Sequence, residues 1–356
     1  MRIVVTIQHP GHVHFFKHAI QKLERNGHQV SVFARENEMT RDLLDHYGIE
    51  HEMLVGPSSS LVSLPFVQAA YEMRLLQRAR HIEPDVITAI GGVAAAHVAT
   101  LLDARSVVFY DTEHAKIITS LSYPFADLVC TPACYRNDVG DGHVRYPGYH
   151  ELAYLHPNRF SPDEGVREEL GVGDDPLVIC RFSSWDSSHD LGQGGFSSVS
   201  DVIETLEDDG AHVVVSSEIE LPSEFAVNRM PIGPHRMHDL LATADIVVSE
   251  GATTAAEAAV LGTPAIYVNS LRMGYTDDLE STHGLLYNCN EEDRHQRGLE
   301  LARELLAEPD AVDWKARQER LHRETVDVTD VIVTTIETAA RWSSPQPRQI
   351  EASLEA

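Results

Sequence analysis

Lysine is scarce in this sequence, and positive charge as a whole is in deficit. Only four of the 28 basic residues are lysines, while 55 acidic residues give the 356-residue chain a formal net charge of −27. Such a surface repels DNA, RNA and anionic lipid at long range, so we expect no nucleic-acid partner. Excess surface carboxylate is typical of proteins in a salty cytoplasm, which predicts a halophilic source.

Long apolar runs and paired cysteines are also missing. No run of about 18 apolar residues occurs, which predicts the absence of a transmembrane segment. The first residues enter the apolar run RIVVTI without a basic leader, so no signal peptide is expected. The four cysteines form no CxxC pair and fit reduced thiols (Cys130, Cys134, Cys180 and Cys289). These features predict a cytoplasmic protein.

Short apolar runs rich in β-branched residues alternate with helical patterns along both halves. The first half predicts strands near 2–7, 29–34, 50–54, 85–90, 106–110 and 127–130, with helices near 13–26, 36–46, 61–81 and 92–102. The second half predicts strands near 177–181, 212–217, 245–249, 265–268 and 285–287, followed by helices near 291–307 and 312–341, with a break around Thr325. Strands that are apolar throughout are typical of parallel sheets covered on both faces.

This alternation predicts two Rossmann-like, doubly wound α/β domains that face a cleft. The Pro-, Gly-, Tyr- and His-rich stretch 131–176 is interpreted as the connection between them. We therefore expect an N-terminal domain over 1–160, a C-terminal domain with closing helices over 161–342, and a polar tail over 343–356. Ligands of open α/β sheets bind beyond the carboxyl ends of the strands, so the loops there are the candidate sites.

The stretch SEGATTAAEAAVLGTPAIY, from Ser249, has the pattern strand, tight turn, helix, strand. Gly251, Ala252, Thr253 and Thr254 would form the helix N-terminus, where unpaired backbone N–H groups and the helix dipole attract anions. Glu257 would lie one turn further on the same face as the two threonines, where its carboxylate could hold vicinal hydroxyls. The pattern predicts a site for a phosphorylated, polyhydroxylated ligand.

Other strand ends of the second half carry polar residues that would extend this site. Arg181, Ser183 and Ser184 follow the first predicted strand, where a cation and two hydroxyls could hold a diphosphate. Glu218 follows the next strand and would line the same cleft.

In the first half, Gly11 permits a tight turn and His12 falls near the start of the first helix. His12 could act as a general base or bind a phosphate or hydroxyl. Asp111, Glu113 and His114 follow the fifth strand, and they fit an acid/base group and a helix-capping run equally well. No metal site is expected, because no pair of histidines has an evident third ligand.

These motifs resemble the GT-B sugar-nucleotide enzymes. The run Gly251 to Glu257 matches the Gly-Ala-x-Thr-x-x-Glu run of the transferase that adds N-acetylglucosamine to the lipid-linked peptidoglycan precursor. Gly11-His12 matches the N-terminal Gly-His of that transferase, but its longer glycine-rich first loop is absent. Taken whole, from HPGHVHFFKHAI through RFSSWDSSHD to EGATTAAEAAVLGTPAIYVN, the chain resembles an uncharacterised archaeal GT-B-like family, a domain of unknown function, over residues 1 to about 335.

The resemblance implies a GT-B-like enzyme that transfers a sugar from a UDP-sugar without an essential metal or other cofactor. Backbone N–H groups at Gly251–Thr254 would bind the diphosphate, and Glu257 would bind the ribose hydroxyls. His12 or Glu113 would take the proton from the acceptor. The acceptor could be lipid-linked and touch residues 58–67, although that stretch also reads as a loop and a helix start.

Two alternatives stay open. The non-hydrolysing epimerase that inverts C2 of UDP-N-acetylglucosamine is also similar, and Glu113 could correspond to its glutamate after the fifth strand. The Gly-Asp-Thr of that epimerase is replaced by Gly91-Gly92-Val93, however, so one catalytic carboxylate would be missing. A sugar-nucleotide-binding protein without catalytic activity would keep Glu257 and have no need of His12 or Glu113.

Overall fold

The computed structural model describes residues 1–56, 64–163, 165–183, 199–217, 223–341, 347, 350 and 351. The chain forms two compact units. Unit 1 combines Met1–Arg159 with the chain from Val326 onward, and unit 2 is Phe160–Thr325. No helix within the described ranges is long and apolar enough to cross a membrane.

In its described residues, unit 1 contains a seven-stranded parallel sheet with the order β3-β2-β1-β4-β5-β6-β7. In the register of this sheet, Val5 pairs with Val32 on one side and Thr88 on the other. The order is that of a Rossmann fold, and its direction reverses between β1 and β4. The strands are β1 (Arg2–Ile7), β2 (Gln29–Arg35), β3 (His51–Val55), β4 (Val86–Ile90), β5 (Arg105–Phe109), β6 (Leu128–Pro132) and β7 (His143–Tyr146).

Helices cover this sheet and bury its strands. Ile3, Val4 and Val5 have no solvent exposure, as expected for a parallel sheet with two covered faces. Within Met1–Arg159, the helices of unit 1 are α1 (Pro10–Arg25), α2 (Glu38–His46), α3 (Leu64–Ile82), α4 (Val93–Leu102), α5 (Lys116–Ser122) and α6 (Leu152–Leu155).

Unit 2 contains, in its described residues, a five-stranded parallel sheet with the order β12-β11-β10-β8-β9. Counted within the unit and read from the other edge, this is the doubly wound order 2-1-3-4-5, and its direction reverses between β8 and β10. The strands are β8 (Leu177–Phe182), β9 (His212–Ser217), β10 (Ile246–Ser249), β11 (Ala265–Val268) and β12 (Leu286–Cys289). The helices are α7 (Val166–Glu169), α8 (Val199–Asp208), α9 (Met237–Thr243), α10 (Ala252–Val260), α11 (Gly274–Asp278), α12 (Arg294–Ala307) and α13 (Trp314–Glu324).

The last long helix, α14 (Val328–Arg341), belongs to unit 1 and packs against α1. Lys22 Nζ lies 2.7 Å from Asp330 Oδ1, and Thr329 Oγ1 donates to the Ala153 carbonyl at 2.6 Å. The predicted break at Thr325 is confirmed, because α13 ends at Glu324. The location of α14 differs from the expectation that both closing helices stay with the C-terminal domain.

The predicted doubly wound α/β class is confirmed for both units. The stretch 131–176, interpreted as a connection, also contains β7, α6 and α7. The strand β7 has the sequence HVRY, in which only alternate residues are buried, so it lacks a continuous apolar run.

Candidate functional site

The turn between β10 and α10 is the centre of the candidate site in unit 2. Ile246 to Ser249 are buried, and the small residues that follow Gly251 form the nine-residue helix α10. Gly251 is the N-cap residue, with extended backbone (φ −94°, ψ 123°) and no side-chain cap. The Gly251 N–H donates to Ser249 Oγ at 3.1 Å.

The next three amide groups, at Ala252, Thr253 and Thr254, have no hydrogen-bond acceptor among the described residues. They occupy the first turn of a helix, where backbone N–H groups and the helix dipole favour a bound anion. Thr253 is exposed and Thr254 is half-buried, so two hydroxyls accompany these amides.

The end of β8 lies against this turn, at the point where the strand order reverses. Glu250 N donates to the Arg181 carbonyl at 3.0 Å, and Ser183 N donates to Glu250 Oε2 at 2.9 Å. A Cβ atom at Gly251 would lie 3.9 Å from Ser183 Oγ. The structure therefore places the backbone of Arg181 and the side chain of Ser183 beside the turn at Gly251, whereas Ser184 and Glu218 lie outside the described residues.

Glu250 also belongs to the candidate site, although it was not predicted from the sequence. Its side chain is buried at 2% exposure, and its carbonyl accepts a hydrogen bond from Asn269 Nδ2 at 2.9 Å. The available signal was a charged residue at the end of an apolar strand, immediately before the glycine of the turn. The Glu250 carboxylate places negative charge at the Ser183 amide, which lies next to the turn.

Glu257 lies one turn into α10, and its carboxylate contacts a histidine. His238 Nε2, on α9, lies 3.0 Å from Glu257 Oε1. Both residues are buried, with exposures of 7% for Glu257 and 4% for His238. The ring of Phe160 packs edge-on against His238, with 6.2 Å between the ring centroids. The spacing of the motif predicts Glu257 on this helix, but nothing in the sequence indicates His238 as its partner.

In unit 1, His12 lies in the first turn of α1. Its Nδ1 accepts a hydrogen bond from the Gln8 N–H at 3.3 Å, so the neutral ring carries its proton on Nε2. Burial, assisted by His9 and His150, lowers the pKa of His12 from 6.5 to about 3. A ring with this pKa is a weak proton acceptor near neutral pH. The geometry therefore favours a hydrogen-bond donor at Nε2 over the general base expected from the sequence.

In the loop after β5, the side chains of Glu113 and Asp111 contact different partners. Glu113 is half-buried, and its Oε1 accepts from the Arg136 N–H at 3.3 Å. Asp111 Oδ2 instead lies 3.1 Å from Nδ1 of the buried His150, which follows β7. Burial lowers the pKa of His150, and the Asp111 carboxylate opposes that shift. His150 was not predicted as a site residue, because its segment was interpreted as the connection between the domains.

Gly91 and Gly92, at the end of β4, both have positive φ angles, of +70° and +65°. A Cβ atom at Gly92 would lie 2.4 Å from Val108 Cγ2 on β5. Position 92 thus has neither the backbone conformation nor the space for an ordinary side chain. Among the residues the structure describes, no group of three or more His, Cys, Asp or Glu side chains is arranged to hold a metal ion.

Two doubly wound, parallel-sheet α/β units in one chain are the architecture of the GT-B-like fold. The chain belongs to the family described as "Protein of unknown function (DUF354)", which matches residues 1–337. The uncharacterized protein MJ0665 of Methanocaldococcus jannaschii is 25% identical over 272 residues, which are 72% of this chain and 78% of that protein.

Solved structures resemble the whole chain in fold. The S. aureus MnaA–UDP structure has a TM-score of 0.71 at 13% identity and covers 94% of this chain and 96% of its own. The glycosyltransferase SsfS6 of Streptomyces sp. SF2575 has a TM-score of 0.58 at 15% identity, covering 93% and 99%. At these identities the likeness shows the fold alone. The expected GT-B-like fold and its relation to a family of unknown function are confirmed.

Proposed function

We propose that this protein is a glycosyltransferase-like enzyme that binds a UDP-sugar through unit 2 and needs no metal ion. One observation carries the proposal: α10 starts without a side-chain cap, beside Ser183 and Arg181, and carries Glu257 one turn later. Uncapped amides suit a diphosphate, and a carboxylate one turn away suits the ribose hydroxyls.

The same groups would assist departure of UDP. Negative charge grows on the diphosphate as the bond to the sugar breaks, and amides that are already oriented stabilise that charge without further reorganisation. The guanidinium of Arg181, whose Nη1 lies 3.5 Å from Ser216 Oγ, adds a positive charge at the end of β8.

Unit 1 would supply the groups that handle the acceptor. His12, neutral with its proton on Nε2, would donate a hydrogen bond to the acceptor hydroxyl, and Glu113 would take the proton as that hydroxyl attacks. A protein that only binds sugar nucleotides would need neither group. Substitution of these two residues therefore tests catalysis separately from binding.

An epimerase acting on a free UDP-sugar is the second candidate, since solved structures of UDP-N-acetylglucosamine 2-epimerases resemble this chain in fold over nearly its whole length. The geometry at Gly92 argues against it. The resemblance would require the carboxylate of a Gly-Asp-Thr run at this position, where the backbone has φ +65° and Val108 fills the space of a side chain. We therefore place the transferase first.

Calorimetric titration of UDP and UDP-N-acetylglucosamine in molar salt tests the proposed binding. We expect wild type to bind, and Glu257→Ala to bind about ten- to a hundredfold more weakly, because a hydrogen bond to a charged group is lost. Glu280→Ala is the matched control, since Glu280 accepts from Asn288 N and Nδ2 elsewhere in unit 2. Failure of wild type to bind either ligand would refute the proposal.

Turnover then distinguishes the candidates. A transferase releases UDP only when an acceptor is supplied, whereas an epimerase interconverts the UDP-sugar alone. We expect His12→Ala and Glu113→Gln to abolish release while leaving UDP affinity unchanged, and we expect release to persist in the presence of a metal chelator.

A further inference from the structure

The contact between His238 and Glu257 joins two helices whose sequences do not suggest it. His238 lies in the first turn of α9, and its Nε2 is 3.0 Å from Glu257 Oε1 on α10. The side chains are 5% and 10% exposed. A buried carboxylate needs hydrogen-bond donors, because removal from water otherwise disfavours its charged form.

The direction of the Glu257 side chain relates its contact with His238 to the turn before α10. Side chains on a helix lean towards its N-terminus, so the Glu257 carboxylate extends back towards the turn at Gly251–Thr254. A glutamate has three rotatable side-chain bonds and would otherwise sample several orientations there. A donor on the neighbouring helix fixes one of them, and a carboxylate with four lone-pair directions keeps capacity for further donors.

We propose that His238 is a positioning residue, which holds the Glu257 carboxylate in the orientation that accepts the ribose hydroxyls of a uridine nucleotide. This inference rests on the proposed function, in which Glu257 contacts the ribose. His238 does not touch the ligand; it acts through Glu257. Its removal should therefore weaken recognition of the ribose hydroxyls specifically, and leave the diphosphate contacts at α10 in place.

A purely structural role of the His238–Glu257 pair would have different effects on stability and on nucleotide affinity. If the pair only stabilised the packing of α9 on α10, its loss would lower the melting temperature and affect all nucleotides alike. The ratio of affinities for UDP and 2′-deoxy-UDP separates these cases, because the two ligands differ only in one ribose hydroxyl.

The experiment measures both affinities for wild type and three His238 variants. Gln carries an amide donor at about the reach of imidazole Nε2, Asn carries one that is a methylene shorter, and Phe carries none. We expect wild type and His238→Gln to prefer UDP by about tenfold, the effect of one hydrogen bond to a charged group. His238→Asn and His238→Phe should reduce the preference to less than about threefold, because affinity for 2′-deoxy-UDP, which keeps only the 3′ hydroxyl, falls less than affinity for UDP.

His28→Phe is the matched control, since His28 Nε2 lies 2.9 Å from Glu337 in unit 1. It should keep the full preference. The inference is overturned if the Phe and Asn variants also keep it, if both ligands weaken equally, or if wild type binds UDP without discriminating against the deoxy form. Each of these three outcomes leaves nucleotide binding, and therefore the proposed function, intact. If wild type binds neither ligand, the proposed function fails, and this inference fails with it.

Discussion

The two helix starts that carry the candidate sites use their first amide groups differently. In α1 of unit 1, His9 is the N-cap and its Nδ1 accepts from Gly11 N at 3.2 Å, while Pro10 has no N–H to offer. In α10 of unit 2, the amides of Ala252, Thr253 and Thr254 have no acceptor among the described residues.

Both starts contain a glycine and lie where the strand order reverses, so the sequence makes them look alike. Their chemistry nevertheless differs, because an amide that is already paired cannot bind an anion without giving up its partner. The α1 start is suited to presenting the His12 ring, and the α10 start to binding phosphate. Substitutions at the two helix starts, and a change of pH, test that difference.

Ala252→Pro should convert the α10 start into one like that of α1. Proline is well tolerated at the first helical position, and the φ and ψ of Gly251 (−94° and 123°) suit a residue that precedes proline. Only one amide donor is lost. We expect UDP binding to weaken by about 1.5 to 3 kcal/mol, or about ten- to a hundredfold, with little change in melting temperature.

Ala252→Ser is the control for Ala252→Pro, because it alters the side chain and keeps the amide. Calorimetric titration of UDP into both variants provides the measurement. Equal affinities for Ala252→Pro and wild type would mean that this amide does not contact the diphosphate.

Acid should weaken unit 1 through His12. The folded pKa of about 3 lies below the unfolded value of 6.5, so protons bind the unfolded chain more tightly. The stabilisation is complete above about pH 6.5 and is lost as the pH falls towards 3. His12 alone should account for about 2 kcal/mol of lost stability between pH 7 and pH 5. His18 on the same helix, with a pKa that burial lowers to about 4, adds in the same direction.

Urea unfolding at the two pH values measures this loss for wild type and His12→Asn, whose amide oxygen can still accept from Gln8 N. The variant should lose about 2 kcal/mol less than wild type. His81→Asn, at an exposed position on α3, should behave like wild type. An identical loss in wild type and His12→Asn would show that His12 titrates normally in the folded chain.

The sequence predicts those parts of the molecule whose signals are local. Apolar β-branched runs define most of the strands of both sheets, and Gly251 with its following small residues defines the start of α10. The strand β7 escapes this reasoning because it is half polar. The helical pattern of α14 gives its length, but a pattern along one helix does not reveal which unit it packs against.

Contacts between distant residues are the part of the candidate site that could not be predicted. His238 and Glu257 are nineteen positions apart on different helices, and Asp111 and His150 lie on different segments of unit 1. A buried carboxylate requires a donor, but many histidines were available, and only the packing of elements selects one. For the same reason the contact of the Glu250 carboxylate with the Ser183 amide, at the end of another strand, could not be predicted.

His9→Ala should have the smallest effect and confine it to unit 1. Loss of the side-chain cap leaves Gly11 N without its acceptor, which should cost about 1 kcal/mol of stability. His9→Asn supplies a favoured capping residue and should restore that stability. Neither variant should change UDP affinity, because the α1 start has no amide that serves an anion. If His9→Ala strengthened UDP binding instead, the released Gly11 amide would be acting as an anion donor, and the contrast between the two helix starts would reflect only whether their amides are capped.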